Sequence, residues 1–297
     1  MKISVIVLNY NGLDNTLDCL ESLRRLRIDR HLIEIVVVDN NSSDGSQEAF
    51  AKLKDIELLV NSENLGFAGG NNRGIEFALK RNADYLLILN NDTIVDRLLV
   101  DAFVKAAGSA DIVSPKIYFA PGFEFHKKRY RKKDLGKVIW YAGGEIDWQN
   151  IIGKHIGVDE VDRGQFSKAQ EIDFATGACV FVNRRVFEKI GFFDEKYFLY
   201  LEDMDFCVRA KKQGFKILFE PKAVIWHKNA ATAGGSGSPT QDYFITRNRL
   251  LFAFKHAKFR TKLAVLKQII SQSQDPLKRQ ALFDFFTLKF GKGSILK

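Results

Sequence analysis

Apolar runs of strand length alternate with helical patterns through the first 115 residues. Buried strands are predicted at four continuous apolar runs, residues 3–8, 33–38, 56–60 and 85–89. Between these runs the apolar positions recur at helical spacing, as they do at Leu17, Leu20 and Leu23. The alternation predicts an α/β fold in which helices cover a parallel sheet.

Polar side chains cluster where three of these strands end. The clusters are residues 9–11 (Asn-Tyr-Asn), 39–41 (Asp-Asn-Asn) and 90–92 (Asn-Asn-Asp). Each cluster alone fits an ordinary turn or helix cap. Because ligands of such sheets bind beyond the carboxyl ends of the strands, three clusters on one rim indicate a binding site. Asp39 would also suit a dinucleotide enzyme, but the first turn has one glycine and no GxGxxG, which argues against a nicotinamide or flavin site.

The alternation breaks after residue 115. Residues 116–171 are first basic and then rich in Trp, Gly and short alternations, which predicts an irregular excursion or hairpin. The composition of residues 229–241 is typical of a linker, and their position after a candidate site equally favours a lid. From residue 242 onward, Phe and Leu alternate with Arg and Lys in helical segments.

Three acidic residues crowd the predicted start of one helix: Glu202, Asp203 and Asp205. The helix dipole favours anions there, and Asp205 stands four residues before Arg209, an ordinary supporting pair. Asp203 differs, because helical spacing places it on one face with Cys207, toward the apolar side. A carboxylate directed inward needs a reason, and catalysis is one. The strand that follows ends at His227, for which a packed strand-end histidine is the plain interpretation.

The net charge of +9 is unevenly distributed. Residues 247–297 hold twelve Lys or Arg against two Asp, a charge of +10, so the preceding residues sum to −1. Within that first part, residues 127–137 hold seven basic residues and one acid. Two basic zones indicate a polyanionic neighbour: an anionic membrane surface, a diphosphate or nucleic acid. The C-terminal zone has no RNA- or DNA-binding signature, and an interfacial helix or a solvated basic cap fits it better.

Cysteine use and the lengths of the apolar runs bear on the compartment. Cys19, Cys179 and Cys207 are isolated, odd in number and without metal spacing, which favours a reducing cytosol. The N-terminal apolar run is too short for a signal peptide, and no run approaches a membrane span. We therefore expect a cytoplasmic protein, with peripheral attachment to the inner face of the cytoplasmic membrane as an open alternative.

The motifs of the chain are, in order, SVIVLNYNG, VVVDNNSSDGS, NLGFAGGNN, LLILNNDT, ATGACVFVNRRVFEKIGFFDE, YLEDMDFCVRAKKQGF, IWH and TRNRLLF. This set resembles inverting glycosyltransferase family 2, and within it the bacterial rhamnosyltransferase-like branch, as far as about Lys255. The resemblance implies the GT-A fold, a mixed, mostly parallel central sheet flanked by helices, here with a C-terminal helical extension. It also implies a nucleotide-sugar-binding α/β half at 1–115 and an acceptor-binding and catalytic half at 116–240. The pattern of apolar and basic residues adds a basic helical extension at 241–297.

The resemblance and, for Arg247, its position after the 229–241 segment assign six residues to the nucleotide-sugar donor: Asn9, Tyr10, Asp39, Asn71, Asn91 and Arg247. Asn9, Tyr10 and Asp39 would surround the nucleotide base. Asn71 stands in a GGNN turn where the family often has an arginine, so its contact is expected to be weaker or different. Arg247 would clamp the diphosphate when the preceding loop closes, with salt bridging as the alternative.

The metal and catalytic residues are also implied by resemblance. Asp92 matches the final acid of the family's DxD motif, Asn90 replaces the first acid, and His227 matches a histidine that completes the site in some relatives. A divalent cation neutralises the charge of a departing diphosphate. Mg²⁺ needs few carboxylates beside phosphate oxygens and water, whereas an imidazole shifts the preference toward Mn²⁺. Asp203 matches the catalytic base, and Glu202 would position the acceptor or simply solvate the helix start.

Two opposing influences act on the pKa of Asp203 in this interpretation. An apolar environment raises the pKa because it desolvates the charged form, and the N-terminal helix dipole lowers it. The sequence leaves both outcomes open.

Together these features indicate an enzyme that moves a sugar, with rhamnose as one candidate, from a dTDP- or UDP-sugar. The acceptor would be a glycan or lipid-linked glycan in bacterial surface polysaccharide synthesis, the cofactor Mn²⁺ or Mg²⁺, and no nucleic acid would take part. Two alternatives stay open: a basic membrane-docking module without catalysis, and a sugar nucleotidyltransferase. The latter class usually has a Gly-rich, basic first turn, which this chain lacks.

Overall fold

One large mixed sheet organises the protein, and the computed structural model describes residues 1–28, 30–229 and 237–296. The strands in these ranges are β1 (Lys2–Asn9), β2 (Leu32–Asp39), β3 (Glu57–Val60), β4 (Tyr85–Asn90), β5 (Thr93–Val95), β6 (Ile112–Phe119), β7 (Ile139–Tyr141), β8 (Gly144–Asp147), β9 (Ile152–His155), β10 (Gln170–Glu171), β11 (Cys179–Asn183) and β12 (Ile217–His227). The α-helices are α1 (Leu13–Arg24), α2 (Ser46–Phe50), α3 (Gly66–Lys80), α4 (Leu99–Ala106), α5 (Arg184–Ile190), α6 (Glu202–Lys212), α7 (Pro239–His256), α8 (Phe259–Ser271) and α9 (Pro276–Phe286).

The main sheet has the strand order β10-β12-β6-β11-β4-β1-β2-β3. β5 pairs with β12 and β7 pairs with β6, while β8 and β9 form a separate hairpin. β3, β2, β1 and β4 run parallel, as do β6 and β12, whereas β11 runs antiparallel between β4 and β6. The sheet is therefore mixed and mostly parallel, with flanking helices, as expected from the sequence.

The four strands predicted in the first half are confirmed, each within one residue of its expected bounds. Their parallel register aligns the carboxyl ends, because Asn9 pairs with Asp39 across β1 and β2, and Leu8 pairs with Asn90 across β1 and β4. The three polar clusters therefore lie on one rim of the sheet, as predicted.

The glycine-rich segment after β3 is helical, and the turn expected around Asn71 is wrong. This segment forms the first part of α3. A Cβ atom on Gly70 would lie 2.4 Å from Leu8 Cδ1, and one on Gly74 would lie 2.5 Å from Ile6 Cγ2. The glycines therefore allow the helix to approach β1 closely, which is a packing requirement that the sequence pattern did not distinguish from a turn.

The second half of the chain extends the same sheet. Residues 116–171 include β7 and the β8–β9 hairpin, which confirms the predicted excursion. Residue 115 lies inside β6, so the sheet passes from the first half to the second without a break. The functional division at this residue stays a prediction.

The C-terminal helical extension consists of α7, α8 and α9. α7 is the inner helix, and Tyr243, Phe244 and Phe252 are fully buried. In the part of the chain that the structure describes, no helix has an apolar stretch long enough to cross a membrane. Most of the 229–241 segment, predicted as a linker or lid, lies outside the described residues.

Candidate functional site

The carboxyl ends of β1, β2 and β4 carry a hydrogen-bonded network, which we call the strand-end rim: Asn9, Thr16, Asp39, Ser42 and Asn91. Asn9 Nδ2 donates to Asp39 Oδ2 at 2.7 Å and to Ser42 Oγ at 3.0 Å. Asn9 Oδ1 accepts from Thr16 Oγ1 at 2.8 Å and from Asn91 Nδ2 at 3.1 Å. All of these residues except Ser42 are buried. Because buried polar groups that find partners hold one geometry, the network fixes the shape of the rim.

Asp39, which belongs to the rim, and Tyr10, which follows the rim residue Asn9, differ in exposure. Asp39 has no exposed surface, and its Oδ1 also accepts from the Ser42 amide at 2.8 Å and from Gln47 Nε2 at 3.0 Å. Tyr10 is 39% exposed. The structure therefore uses Asp39 to hold the turn and leaves the Tyr10 side chain partly open to solvent. Contact of either residue with a nucleotide base stays a prediction.

Asn71 is a buried amide close to the rim. Its Nδ2 donates to the Phe67 carbonyl at 2.9 Å, and its Oδ1 finds no hydrogen-bond partner among the described residues. The helix that carries it is tied to the residue after Asp39, since Asn40 Nδ2 donates to the Gly66 carbonyl at 2.9 Å. An unpaired buried acceptor costs about 1–3 kcal/mol, so Asn71 Oδ1 is a candidate contact for a bound ligand.

Asp92 and His227 are brought together by strand pairing. β5 and β12 run antiparallel with Thr93 opposite His227, and the Lys228 amide donates to the Asp92 carbonyl at 2.8 Å. Asp92 Oδ1 lies 3.0 Å from His227 Nε2, and both side chains are buried. The Trp140 ring packs edge-on against the imidazole at 4.6 Å between centroids. The proximity predicted from the sequence is therefore confirmed.

The Asp92–His227 pair fits a divalent cation by its chemistry. A carboxylate oxygen and an imidazole nitrogen are both ligands of first-row divalent metals. Neighbouring ligands of an octahedral ion lie about 3.0 Å apart when each is about 2.1 Å from it, which matches the 3.0 Å separation of these two atoms. In residues 1–28, 30–229 and 237–296, no group of three His, Cys, Asp or Glu could hold a metal. Further ligands would therefore come from substrate or water.

Asp203 lies at the start of α6, beside the end of β4. Its Oδ2 accepts from the Gly177 amide at 2.9 Å. The next residue, Ala178, accepts through its carbonyl oxygen from the Asn90 amide at 2.9 Å. These two bonds place the carboxylate next to the strand end that leads into Asp92.

Burial raises the pKa of both acids at this helix start. Desolvation raises the pKa of Asp203 and outweighs the amide hydrogen bonds from Gly177 and Met204, which lower it. Glu202 is buried, and its Oε2 finds no hydrogen-bond partner in the described part of the chain. Desolvation, followed by the charge of Asp203, raises the pKa of Glu202 well above its usual range. Of the two opposing influences on Asp203, desolvation therefore dominates, and a raised pKa strengthens a carboxylate as a proton acceptor.

Asp205 is structural, as expected. It is fully buried and accepts from Arg209 Nε at 2.8 Å, and its Oδ1 lies 2.7 Å from His256 Nε2 and 2.5 Å from Lys255 Nζ. Desolvation alone would raise its pKa. The bond from His256 and the charges of Lys255 and Arg209 overcome this and hold the pKa of Asp205 well below its usual range.

Arg247 does not lie at the strand-end rim. It has no exposed surface, and its guanidinium donates to the backbone carbonyl oxygens of Tyr197 at 3.0 Å and Gly291 at 2.7 Å. The inner face of α7 directs the side chain into the protein, where these acceptors use its N–H groups. The structure therefore gives Arg247 an internal structural position in place of the expected diphosphate clamp or salt bridge.

Four contributors to the site were missed in the sequence: Thr16, Ser42, Trp140 and Gly177. Thr16 and Ser42 are ordinary residues of a helix and a turn until the fold sets them against Asn9. Gly177 acts through its backbone amide, which no side-chain pattern reports. Trp140 comes from the irregular excursion, whose short alternations do not indicate which element the side chain packs against.

Comparisons relate the chain to known proteins. Residues 4–191 match the model of Glycosyl transferase family 2. The low-salt glycan biosynthesis hexosyltransferase Agl10 of Haloferax volcanii is 25% identical over 252 residues, which cover 84% of this chain and 74% of the relative. The N-acetylglucosaminyl-diphospho-decaprenol L-rhamnosyltransferase of Mycobacterium tuberculosis (strain H37Rv) is 25% identical over 68% of each chain.

Solved structures share the fold. GalNAc-T7 with UDP, GalNAc and Mn²⁺ superposes with a TM-score of 0.63 at 16% identity. The superposition covers 84% of this chain and 51% of the GalNAc-T7 chain, so this chain spans about half the length of GalNAc-T7. The mannosyltransferase PcManGT from Pyrobaculum calidifontis, in complex with GDP-Man and Mn²⁺, gives 0.56 at 15% identity, covering 93% and 77%. The expected GT-A fold is confirmed by these likenesses. With the family model matching well over half of its residues, this protein belongs to glycosyl transferase family 2.

Proposed function

We propose that this protein is an inverting glycosyltransferase that moves a sugar from a nucleoside-diphosphate donor to a hydroxyl group of a glycan acceptor. One observation carries the proposal: the hydrogen bonds Asn90–Ala178 and Gly177–Asp203 set a carboxylate of raised pKa beside the strand end that leads into the Asp92–His227 pair. A proton acceptor next to a cation-binding pair is what direct displacement of a diphosphate requires.

Asp203 acts as the general base in this proposal. The attacking hydroxyl loses its proton to a carboxylate oxygen as its own oxygen bonds to the anomeric carbon and the bond to the diphosphate breaks. Two hydrogen bonds fix the direction of the carboxylate: the Gly177 amide donates to Oδ2 at 2.9 Å and the Met204 amide donates to Oδ1 at 2.7 Å. Glu202 is buried next to Asp203, and burial raises its pKa; its role in this proposal is to position the sugar acceptor.

Asp92 and His227 would hold Mn²⁺ or Mg²⁺. When bound, such an ion neutralises the charge that develops on the departing diphosphate. The pairing of β5 with β12 keeps the two ligand side chains together, and Trp140 limits rotation of the imidazole. The solved relatives carry Mn²⁺ in their complexes, which supports a divalent cation here without distinguishing the two metals.

The strand-end rim would bind the nucleotide of a UDP- or dTDP-sugar. Its geometry is fixed by the Asn9–Asp39 bond, and Tyr10 offers a partly exposed ring for stacking on a base. Asn71 Oδ1 finds no partner among the described residues and would accept a hydrogen bond from a hydroxyl group of the nucleotide-sugar donor. A relative is named as an L-rhamnosyltransferase that acts on a lipid-linked diphosphate sugar, which makes rhamnose a candidate sugar and a lipid-linked glycan a candidate acceptor in polysaccharide synthesis.

A thermal-shift panel of nucleotide sugars tests the donor. UDP-, dTDP- and GDP-sugars are added to the protein with Mn²⁺ and, separately, with excess chelator. A ligand at a hundred times its dissociation constant stabilises the folded state by about 2.7 kcal/mol, so one uridine or thymidine donor should raise the melting temperature and chelation should reduce the shift. If no nucleotide sugar stabilises the protein and none of them releases its nucleoside diphosphate in its presence, the glycosyl-transfer proposal is overturned.

The outer faces of α8 and α9 support docking on an anionic membrane, which we propose as the cellular setting. On α8, Phe259 (73% exposed), Leu263 and Ile270 lie on one helix face by their spacing. Phe283 and Phe286 are exposed on α9. Cations border both stripes: Arg260, Lys267 and Arg279. Exposed aromatic and aliphatic side chains bordered by cations are complementary to lipid with negative headgroups.

Vesicle sedimentation tests the surface. Phosphatidylglycerol vesicles should retain the protein and phosphatidylcholine vesicles should not, with binding reduced by salt. Reversing two cations of the surface, Arg260→Glu with Lys267→Glu, should release it. The matched control reverses two exposed lysines elsewhere, Lys52→Glu with Lys54→Glu. Equal recovery of all forms in the supernatant would remove the membrane proposal and leave the glycosyl-transfer proposal intact.

A further inference from the structure

The turn at residues 196–201, which leads into α6, has an unusual backbone. Phe198, Tyr200 and Leu201 adopt left-handed conformations with φ values of 63°, 70° and 69°. Each such non-glycine residue costs on the order of 1–3 kcal/mol, and bulky side chains occupy this region rarely. A turn of this kind keeps its shape only when the surrounding structure enforces it.

Asn248 on α7 supplies one part of that enforcement. Its Nδ2 donates to the carbonyl oxygens of Tyr197, Leu199 and Tyr200 at 2.8, 2.7 and 2.9 Å. Its Oδ1 accepts from Arg247 Nε at 3.0 Å. The side-chain amide of Asn248 is fully buried and therefore binds three backbone carbonyl groups within the 196–201 turn.

Arg247 supplies the other part. Its Nη2 donates to the carbonyl oxygens of Lys196 and Tyr197 at 3.1 and 3.0 Å, and its Nη1 donates to that of Gly291 at 2.7 Å. The Gly291 amide in turn donates to the Lys196 carbonyl at 3.0 Å. The guanidinium thus joins the 196–201 turn to α7 and to the segment that follows α9.

The direction of Asp203 depends on this turn. Leu201 is the N-cap residue of α6, and Glu202 and Asp203 are the first two residues of the helix. Further along α6, Asp205 is anchored separately through its contacts with α7, including the one to His256. A weakened turn would therefore alter the direction of the first helical residues while the rest of α6 stays in place.

We propose that Arg247 and Asn248 are positioning residues, which hold the strained 196–201 turn so that Asp203 points at the reacting hydroxyl. The proposal rests on the function proposed above, in which Asp203 is the base. It assigns a role in catalysis to two residues that are fully buried and contact the backbone of the turn, not the Asp203 side chain. A misplacement of about 1 Å can cost on the order of a hundredfold in rate.

The test is Asn248→Ala, measured as steady-state kinetics, pH profile and donor binding by calorimetry. We expect kcat to fall about tenfold to a hundredfold, and donor affinity to change less than about threefold, because the strand-end rim lies on other elements. The acid limb of the kcat profile should move to lower pH. Burial raises the pKa of Asp203, so a looser turn that admits water lets this pKa fall toward the usual value of an aspartate.

Arg249→Gln is the matched control. Arg249 is the next residue on α7, and its guanidinium contacts the Asn150 carbonyl and Gln268, away from the turn. In this variant, kcat and the pH at which the acid limb of the kcat profile lies should both stay unchanged. If Asn248→Ala keeps a kcat within twofold of the original protein, or loses activity only in proportion to its unfolded fraction with an unmoved acid limb, the positioning role is overturned.

A second variant covers the case in which Asn248→Ala fails to fold. Leu201→Gly relieves the strained φ, which offsets the loss of a half-buried side chain, and frees the turn to adopt other conformations. It should fold and show the same fall in kcat and faster amide hydrogen exchange at residues 196–203. Unchanged exchange and kcat would overturn the proposal. Absence of transfer by the original protein would overturn the proposed function, and the exchange measurement on both proteins would still report on the turn.

Discussion

The strand-end rim and the 196–201 turn differ in construction. In the rim, Asn9 and Asp39 are fully buried and both oxygens of Asp39 accept hydrogen bonds. At the turn, three residues have left-handed backbones, and the adjoining Glu202 has a buried oxygen with no partner among the described residues. A change of conformation in the rim would therefore break hydrogen bonds, whereas a change of conformation in the turn would relieve backbone strain.

This difference separates binding from chemistry in the molecule. A paired polar network is suited to holding a ligand in one orientation at low reorganisation cost. Strained backbone persists only where the surrounding structure enforces it. Desolvation raises the pKa of a carboxylate and so its basicity as a proton acceptor. Substitutions in the rim should therefore affect donor affinity, and substitutions at the helix start should affect turnover.

The largest expected effect tests the chemical side of this comparison. Asp203→Asn should lower kcat by at least about a hundredfold, because general-base catalysis contributes about 10²–10⁴, while the donor still binds in calorimetry. Asp14→Asn, at an exposed position of α1, is the control for loss of a carboxylate. Turnover unaffected by Asp203→Asn would disprove its role as the base.

The next effect concerns the cation. His227→Ala and Asp92→Ala should each lower metal-stimulated turnover by about tenfold or more, and excess chelator should do the same to the original protein until Mn²⁺ or Mg²⁺ is restored. Electron paramagnetic resonance of Mn²⁺, recorded with and without nucleoside diphosphate, should show weaker binding in both variants. Full activity in excess chelator would rule out the metal role of this pair.

A smaller effect is expected in the rim. Asp39→Ala removes one of the two acceptors of Asn9 Nδ2 and the acceptor of the Ser42 amide, and it should lower the free energy of unfolding by about 1–3 kcal/mol. The KM for the donor should rise about tenfold with kcat nearly kept. Asp55→Ala breaks only an exposed pair with Arg24 and should cost less than about 1 kcal/mol. Chemical denaturation measures both variants. Equal losses in the free energy of unfolding would show that the rim network has no special stability.

The smallest effect is a change in pH dependence at Glu202. Its folded-state pKa is raised, so the native state binds more protons than the unfolded chain, and the free energy of unfolding declines as pH rises above about 4.3 toward the folded pKa. Glu202→Gln should remove part of that decline and raise stability at neutral pH by about 1 kcal/mol.

The opposite sign is expected at Asp205, whose folded-state pKa is lowered. Its stabilising contribution is present above the usual aspartate pKa and is lost as pH falls through the lowered value. Asp205→Asn should therefore destabilise the protein at neutral pH. Denaturation curves from pH 4 to 8 distinguish the two cases. If both variants change the free energy of unfolding in the same direction at neutral pH, the burial of Glu202 does not destabilise the protein as we infer.

The sequence by itself determined the parallel strands of the first half and the rim at their ends. Continuous apolar runs report buried strands because both faces of such a sheet are covered, and the fixed register then aligns Asn9 with Asp39. The ordered motifs determined the family, and the spacing around Asp203 indicated an inward carboxylate.

Only the tertiary structure decided how distant segments meet. The 3.0 Å contact of Asp92 with His227 depends on β5 pairing with β12, a long-range register that no local pattern encodes. The helix at Asn71 and the internal position of Arg247 differed from expectation for the same reason. A glycine run has the same composition in a turn and in a closely packed helix, and the partners of a buried guanidinium are backbone carbonyls, which carry no side-chain signature in the sequence.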